Sequence, residues 1–419
     1  MGKSGIHTNR NFLLLWSGNA TSLVGFHGVR IAYPLLVFAV TGSPAAAGWI
    51  GFALHLPSLV FQLPAGLLAD SSNRIATLIR CQALGLSVTC LVAMAVAAEL
   101  PNLWLILLVA AFIEGTVSVF VSISELGAIR DVVSVEQRPA AFSFLEAEQP
   151  IAILIGRSVG AAVYGVARWL PFVANAVSYL YCLITLLLIR SNSTVPQPLA
   201  EPAGRPPRRG VADGVRVVWN DSFLRKSTTM IGLSNIVIQT VLLLILLELK
   251  DSGHPAWTVG AVLGMAGVGG ISGAALASWL TARIPAQRVY RRALWAWTVL
   301  LVPITFSANP FVLAVCWCGV GGVGVVSNVA LTIYRVGVIP EHILGRACAT
   351  MDLFCDGAVA IGALGAGYLL SGPGVVATRW IVLAAMFTLA AYAGTGGAGT
   401  RHGMSSRDHA AELPNTRRD

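Results

Sequence analysis

Charged residues are scarce in this sequence. Only 11% of the 419 residues are Asp, Glu, Lys or Arg, whereas a soluble domain carries about 25%. Acidic residues are scarcer than basic ones, at 19 against 28. Hydrophobic residues make up 56% of the chain, and the mean hydropathy is +0.74. This composition excludes an ordinary soluble domain and indicates a membrane protein.

Catalytic and metal-binding motifs are also missing from the sequence. No Gly-x-x-x-x-Gly-Lys phosphate loop occurs, so direct use of ATP is not expected. The seven cysteines fall within or beside apolar runs, and Cys316 and Cys318 lack a zinc-site spacing. No signal peptide is expected, because the first apolar run is too long and no small-residue cleavage site ends it. We therefore expect no enzyme activity, no metal site and no cofactor.

Twelve apolar runs are long enough to cross the ~30 Å hydrocarbon layer, which takes ~20 helical residues. Their hydrophobicity is continuous rather than alternating, which favours helices over strands. The sequence therefore predicts an all-α membrane protein with 12 transmembrane helices in two six-helix bundles. The runs cover residues 11–40, 45–69, 75–98, 102–128, 139–166, 169–189, 223–249, 256–282, 288–308, 310–338, 346–371 and 376–397.

The positions of Lys and Arg predict the orientation. With a cytoplasmic N-terminus, all but five of the 28 fall on the cytoplasmic side: Arg168, Lys250 and Arg379 lie outside, and Arg30 and Arg157 lie within spans. This bias agrees with the positive-inside rule and predicts a multi-pass inner-membrane protein with both termini cytoplasmic. The net charge of +9 is then an orientation signal and a contact with anionic lipid, not a nucleic-acid surface.

A long polar segment divides the twelve runs six and six. It begins at Arg190, is rich in proline, and ends in an expected short amphipathic helix from Val211 to Lys226. The predicted organisation is an N-terminal bundle over 1–189, a cytoplasmic linker over 190–222, a C-terminal bundle over 223–398 and a disordered tail over 399–419.

The two halves also resemble each other. Glu136 and Glu341 follow the fourth and tenth runs, and Gly156 and Gly362 lie in the fifth and eleventh, each pair about 205 positions apart. A parallel repeat of six helices is one architecture of secondary transporters, with the substrate site between the halves. Chance recurrence of Gly-rich packing motifs is the competing explanation.

Ionisable residues within the spans point to function, because each costs at least ~3 kcal/mol on insertion scales. In the fourth span Glu114, Ser118, Ser122 and Glu125 share one helix face. We interpret this stripe as cavity-facing, with Glu114 coupling protons and the two serines binding substrate. Arg30 of the first span is the expected partner of Glu114 and a substrate contact. The alternatives are serines bonded to their own backbone and a purely structural ion pair.

Further acids and amides give weaker candidates. Asp352 and Asp356, at i and i+4 in the eleventh span, are candidate proton carriers; helix capping or pairing with an Arg is the alternative. Glu146 and Glu148 lie on roughly opposite faces of the fifth span, so at most one is expected to face the cavity. The second half offers substrate contacts at Asn235, Gln239 and Asn328, with helix packing as the equal alternative.

A short charged elbow, Gly66-Leu67-Leu68-Ala69-Asp70-Ser71-Ser72-Asn73-Arg74, separates the second and third spans. It resembles the helix two–three loop of the major facilitator superfamily through Gly66, Leu68, Asp70 and Arg74. The motifs Asn9 to Trp16, Pro34 to Phe38, Thr41 to Pro44 and Val338 to Arg346 resemble its twelve-span drug-efflux branch, which includes macrolide and enterobactin exporters.

The resemblance implies the major facilitator fold and a gating role for Gly66, Asp70 and Arg74. It also implies a monomeric secondary exporter of a small amphipathic molecule, driven by proton antiport. A solute importer or uniporter of the same fold is the alternative. A non-transporting membrane receptor is a third hypothesis, against which the short polar tail counts.

Overall fold

The computed structural model describes residues 6–71, 73–189, 215–339 and 341–395, and nearly all of them are helical. The predicted all-α fold class is confirmed, and the boundaries lie within a few residues of those expected, except that the eleventh helix begins five residues earlier. Twelve long helices are present in this part of the chain: α1 Arg10–Thr41, α2 Pro44–Ser71, α3 Arg74–Ala97, α4 Leu103–Val132, α5 Arg138–Val166, α6 Leu170–Leu188, α7 Ser222–Asp251, α8 Ala256–Thr281, α9 Ala286–Phe306, α10 Pro310–Val338, α11 Glu341–Ser371 and α12 Gly374–Thr395.

Eleven of these described helices are long and apolar enough to cross a membrane by length and composition alone. The remaining one, α9, is 21 residues long. Its first two turns carry Arg288, Arg291 and Arg292, and this charge lowers its hydropathy. Its later residues Leu294, Leu301 and Ile304 are fully buried among the other helices, so α9 packs as part of the bundle.

Side-chain caps define where several helices begin. Asn9 precedes α1 and its side chain accepts a hydrogen bond from the Phe12 amide, and Asn73 does the same for α3 through Ala76. Asp221 caps α7 by accepting from two backbone amides. These short polar side chains satisfy amides that have no partner within the helix. Gly42 ends α1 with φ of 64°, a left-handed conformation that favours glycine.

The packing of the two halves follows the same plan. In the first half α1 packs on α5 and α6, α2 on α4, and α3 on α4 and α6. In the second half α7 packs on α11, α8 on α10, and α9 on α10 and α12. Each of these second-half pairs is a first-half pair moved by six helices. The arrangement is two six-helix bundles, as predicted.

Both ends of the described chain lie at one end of the bundle, because an even number of helices follows the start of α1. We call this end the terminal face and the opposite end the far face. The halves meet along two seams, α2 with α11 and α5 with α8. Because α8 is the counterpart of α2 and α11 is the counterpart of α5, the two seams are equivalent.

Glycine allows the seams to close tightly. A Cβ added to Gly48 of α2 would lie 2.9 Å from the Gly367 Cα of α11. A Cβ added to Gly260 of α8 would lie 2.5 Å from the Arg157 carbonyl oxygen of α5. Real Cβ atoms are not found at such distances from backbone, so the helices approach this closely only because side chains are absent.

Hydrogen bonds reinforce this closure. The Ala45 amide donates to Ser371 Oγ at 3.0 Å, and Trp49 Nε1 donates to the Tyr368 hydroxyl at 3.2 Å. Lys250 Nζ donates to the Leu35 carbonyl at 3.4 Å. These three hydrogen bonds lie toward the far face, where α1 ends, α2 begins and α7 ends. The described conformation is therefore closed at the far face.

Two predicted segments differ from expectation. Gly66 to Ser71 do not form a loop but continue α2, so only Ser72 and Asn73 separate α2 from α3. The amphipathic helix expected from Val211 to Lys226 is helical over 215–220 but is separated from α7 by the cap residue Asp221. The rest of the linker, over 190–214, and the tail over 399–419 lie outside the described residues.

Candidate functional site

A cavity of about 250 Å³ lies inside the first half, between α1, α4, α5 and α6. Its wall combines apolar side chains with carboxyl, amide and hydroxyl groups, and within the described residues no Lys or Arg lines it. Such a mixed wall suits a small amphipathic ligand. The lining residues are Asn19, Ser22, Leu23, Phe26, Val117, Ser118, Val121, Ser122, Glu125, Leu145, Glu146, Glu148, Gln149 and Tyr179.

The stripe predicted on α4 lines this cavity only in part. Ser118, Ser122 and Glu125 face it, as the helical spacing suggests. Ser122 also donates to the Val119 carbonyl at 3.0 Å. Glu114, about one helical turn before Ser118, is fully buried and does not line the cavity. The prediction that all four residues face the cavity was therefore wrong for Glu114.

Glu114 instead joins a hydrogen-bonded network behind the cavity. The Tyr179 hydroxyl donates to Glu114 Oε2 at 2.5 Å, and Asn175 Nδ2 donates to Glu114 Oε1 at 3.3 Å. Asn175 Nδ2 also donates to Thr89 Oγ1 at 3.2 Å. The network ties α3, α4 and α6 together. Since Tyr179 also lines the cavity, it connects the buried carboxyl group to the cavity wall.

Arg30 does not form the predicted ion pair with Glu114. Its guanidinium lies 2.7 Å from His55 Nε2 of α2 and 5.5 Å from the centre of the Phe26 ring. It also interacts electrostatically with Asp356 of α11. The reason is rotational: Glu114 points toward α3 and α6, whereas Arg30 points toward α2 and the other half. The contact of Arg30 with His55 therefore joins α1 to α2, and the electrostatic interaction of Arg30 with Asp356 links α1 to α11.

The two aspartates of α11 have different surroundings. Asp352 lies 3.6 Å from the Arg335 guanidinium of α10, and its side chain is half exposed. Asp356 interacts with both Arg30 and Asp352. The contact of Asp352 with Arg335 agrees with the alternative of pairing with an arginine from another helix. The structure does not bring either aspartate into the 250 Å³ cavity.

The second-half candidates also lie elsewhere. Asn235 Nδ2 donates to the Cys355 carbonyl of α11 at 3.4 Å, and Gln239 packs against Gly362 of the same helix. Asn328 is exposed, and its carbonyl accepts a hydrogen bond from Thr332. The first two contacts are those of helix packing, which was the alternative interpretation.

A model of the Major Facilitator Superfamily matches residues 15–363. The chain belongs to this superfamily. No curated protein matches the sequence. The narrower resemblance to the drug-efflux branch remains a prediction.

Solved structures with a similar fold include other transporters. A mutant of the nucleoside transporter NupG has 12% identity and a TM-score of 0.70, covering 92% of this chain and 99% of that one. An inward-facing bacterial homologue of ferroportin, an iron transporter, has 17% identity and a TM-score of 0.69, over 92% and 98%. An inward-facing, unoccupied bacterial homologue of the lysosomal transporter Spinster has 13% identity and a TM-score of 0.67, over 93% and 96%. At these identities the likeness establishes the fold alone.

The superfamily's gating motif lies at the terminal face. Gly66 is within α2, and a Cβ added there would meet no atom within 4 Å. Arg74 begins α3 and donates from one nitrogen to both Asp131 carboxylate oxygens of α4, at 2.8 and 3.0 Å. Asp70 is helical, and its side chain lies outside the described part of the chain. The gating role of these three residues remains a prediction.

Several residues at or beside the cavity of this Major Facilitator protein were not predicted from the sequence. Asn175 and Tyr179 lie four apart on one face of α6, a spacing that marks a polar stripe but not its partner. Both Glu146 and Glu148 line the cavity, although at most one was expected to. Glu148 is buried and Glu146 is exposed. His55, which was not among the predicted site residues, contacts Arg30.

The contact between Arg30 and His55 gives a first prediction. Arg30 is always a donor, so His55 Nε2 accepts and the ring is neutral with its proton on Nδ1. Replacing His55 by Phe leaves a half-buried guanidinium without this acceptor and should lower stability by about 1–3 kcal/mol. His55→Gln keeps an acceptor and should recover most of the loss. Thermal unfolding in detergent measures both, and equal stability of the Phe variant and the parent would contradict the contact.

Proposed function

We propose that this protein is a secondary active exporter of a small amphipathic molecule, driven by proton antiport. The observation that carries the proposal is the cavity wall, where carboxyl and hydroxyl groups stand among apolar side chains. Such a wall suits a ligand that is itself amphipathic. Membership of the superfamily supplies the transport fold.

The conformation closed at the far face is compatible with export from the cytoplasm. The described conformation is closed at the far face by the two glycine seams. We assign the terminal face to the cytoplasm because most Lys and Arg residues lie there. The conformation with a closed far face is then the one that loads cytoplasmic substrate. Rocking of one bundle against the other about the seams would expose the site to the outside.

Several residues have proposed roles in this cycle. Ser118 and Ser122 contact substrate in the cavity, and Arg30, which does not line this cavity, contacts substrate between the two halves. Asp356 interacts with Arg30 across the two halves, so this interaction changes when the halves rock. Gly66, Asp70 and Arg74 gate the terminal face.

Export is tested in a host that lacks its own drug pumps. Cells expressing the protein are loaded with ethidium or rhodamine 6G, and dye loss is followed by fluorescence with and without a protonophore. The proposal predicts faster loss that the protonophore abolishes. Ser118→Leu/Ser122→Leu should reduce the rate, while Ser87→Leu on an exposed position of α3 serves as the control. Faster dye accumulation in expressing cells would instead support the importer alternative.

A further inference from the structure

Two carboxyl groups face the first-half cavity without a basic partner. Glu125 of α4 is 8% exposed and Glu148 of α5 is 4% exposed. Within the described residues, Glu125 Oε1 and Glu148 Oε2 are buried and accept no hydrogen bond. The two side chains also act on each other electrostatically. Two like charges this poorly solvated are strongly unfavourable.

The described residues that line the cavity supply no compensating positive charge. Besides the pair, the titratable side chains that line the cavity are Glu146 of α5 and Tyr179 of α6. Cys182 of α6 also interacts with the pair, and α1 contributes the neutral Asn19 and Ser22. None of these groups is basic. The positive charge that balances the pair must therefore come from solution.

A proton fits this site better than a metal ion. Hard metal cations require about six or more oxygen ligands arranged around them. The described residues contain no group of three or more His, Cys, Asp or Glu side chains placed to hold a metal. Two carboxyl groups that line one cavity and act on each other electrostatically, in contrast, are sufficient to share one proton. The exposed Glu146 at the same cavity gives the proton a route to solvent.

We propose that Glu125 and Glu148 together hold one exchangeable proton, and that this pair, not Glu114, couples protons to transport. Glu114 already has hydrogen-bond donors in Tyr179 and Asn175 and does not face the cavity. The pair shares its cavity with Ser118 and Ser122, so an entering ligand meets the protonated site directly. The coupling role rests on the proposed export function, whereas the proton-binding role does not.

Carbodiimide labelling tests the site in the unmodified protein. Dicyclohexylcarbodiimide reacts with protonated carboxyl groups in apolar surroundings and leaves a stable adduct that peptide mass spectrometry locates. The full-length protein in lipid is labelled at a series of pH values. We expect adducts on Glu125 or Glu148 that decrease as the pH rises, and none on Glu146. Absence of label from both residues throughout the series would overturn the proposal.

Infrared pH titration tests the sharing of the proton. In Glu125→Gln and Glu148→Gln, the remaining carboxyl group no longer faces a like charge, so its carbonyl band should titrate at lower pH than in the parent. The double variant should lose the band, and the control Glu146→Gln should keep it. An unchanged band in the double variant contradicts the site. A shift of the parent titration by sodium chloride, absent in the double variant, would assign a metal cation in place of the proton.

Transport separates this inference from the proposed function. In proteoliposomes, the double variant should lose pH-driven ethidium movement but retain exchange down the dye gradient. A double variant that remains pH-driven would overturn the coupling role while export stands. Normal titration and labelling of the pair in a protein that moves no dye would overturn export while the proton site stands.

Discussion

Replacing Gly367 by Leu should open the far face of the transporter and stop its cycle. A Cβ at this position of α11 would lie 2.7 Å from the Pro44 carbonyl oxygen and 2.9 Å from the Gly48 Cα of α2. Overpacking of this kind costs about 1–3 kcal/mol. Because the seam exists only in the conformation closed at the far face, that cost falls on one conformation. The ratio of the two conformations should change by roughly tenfold to a hundredfold.

The control for this variant lies two residues away. Gly365 is on the same helix, and a Cβ added there would meet no atom within 4 Å. Gly365→Leu should therefore leave the conformational equilibrium and transport unchanged. Spin labels on cysteines at Leu100 and Ser252, both exposed in far-face loops of opposite halves, report the opening as a longer distance in a cysteine-free background. Equal distance distributions for Gly367→Leu and Gly365→Leu would rule out the seam.

Removing the Tyr179 hydroxyl should give the second large effect, on stability. This hydroxyl donates to the fully buried Glu114 at 2.5 Å. Tyr179→Phe leaves Glu114 Oε2 buried without that donor, at a cost of about 1–3 kcal/mol. The midpoint of thermal unfolding in detergent should fall accordingly.

Tyr181 provides the matched comparison for Tyr179. It lies two residues further along α6 and is 44% exposed. Tyr181→Phe should change stability by less than about 0.5 kcal/mol. A double-mutant cycle with Glu114→Gln should show a coupling energy of about 1 kcal/mol or more for Tyr179 and none for Tyr181. Similar losses for the two tyrosine variants would show that the network contributes nothing specific.

The helices were predictable because the length and hydropathy of a segment decide whether it can cross a membrane as a helix. The same reasoning placed Ser118, Ser122 and Glu125 on one face of α4, and all three line the cavity. It assigned Glu114 to the same face, but Glu114 accepts hydrogen bonds from Tyr179 and Asn175 of α6 instead of lining the cavity. A helical stripe therefore identifies a polar face without identifying what each part of that face contacts.

Contacts between helices were much less predictable. The pairing of Arg30 depends on how α1 is rotated toward α2, and spacing along one helix carries no information about this rotation. Glu125 and Glu148 belong to different helices, and only the assembled bundle places both at the same cavity. The seam glycines Gly48 and Gly367 have no spacing in the sequence that marks them as partners. Such pairs become visible only when the bundle is assembled.

The larger groove of about 530 Å³ between α1, α5 and α6 illustrates why volume alone does not identify the site. Most of its lining is glycine and apolar residues, with hydroxyl groups at Thr21, Ser178 and Tyr181, and no charged side chain of the described residues lines it. Val159, Val177 and Tyr181 are exposed along it. A surface of this kind suits contact with lipid tails, so we assign substrate to the smaller cavity with polar groups.

The most direct test of the account is transport by the purified protein in liposomes, where an imposed pH gradient is the only energy source. Liposomes are selected in which the terminal face of the protein is accessible from outside, and their lumen is made acidic. Proton-driven export predicts ethidium accumulation in the lumen that collapses with nigericin and is lost in the Glu125→Gln/Glu148→Gln variant. Accumulation that is independent of the gradient, or dye movement out of the acidic lumen against its own gradient, would contradict proton-driven export.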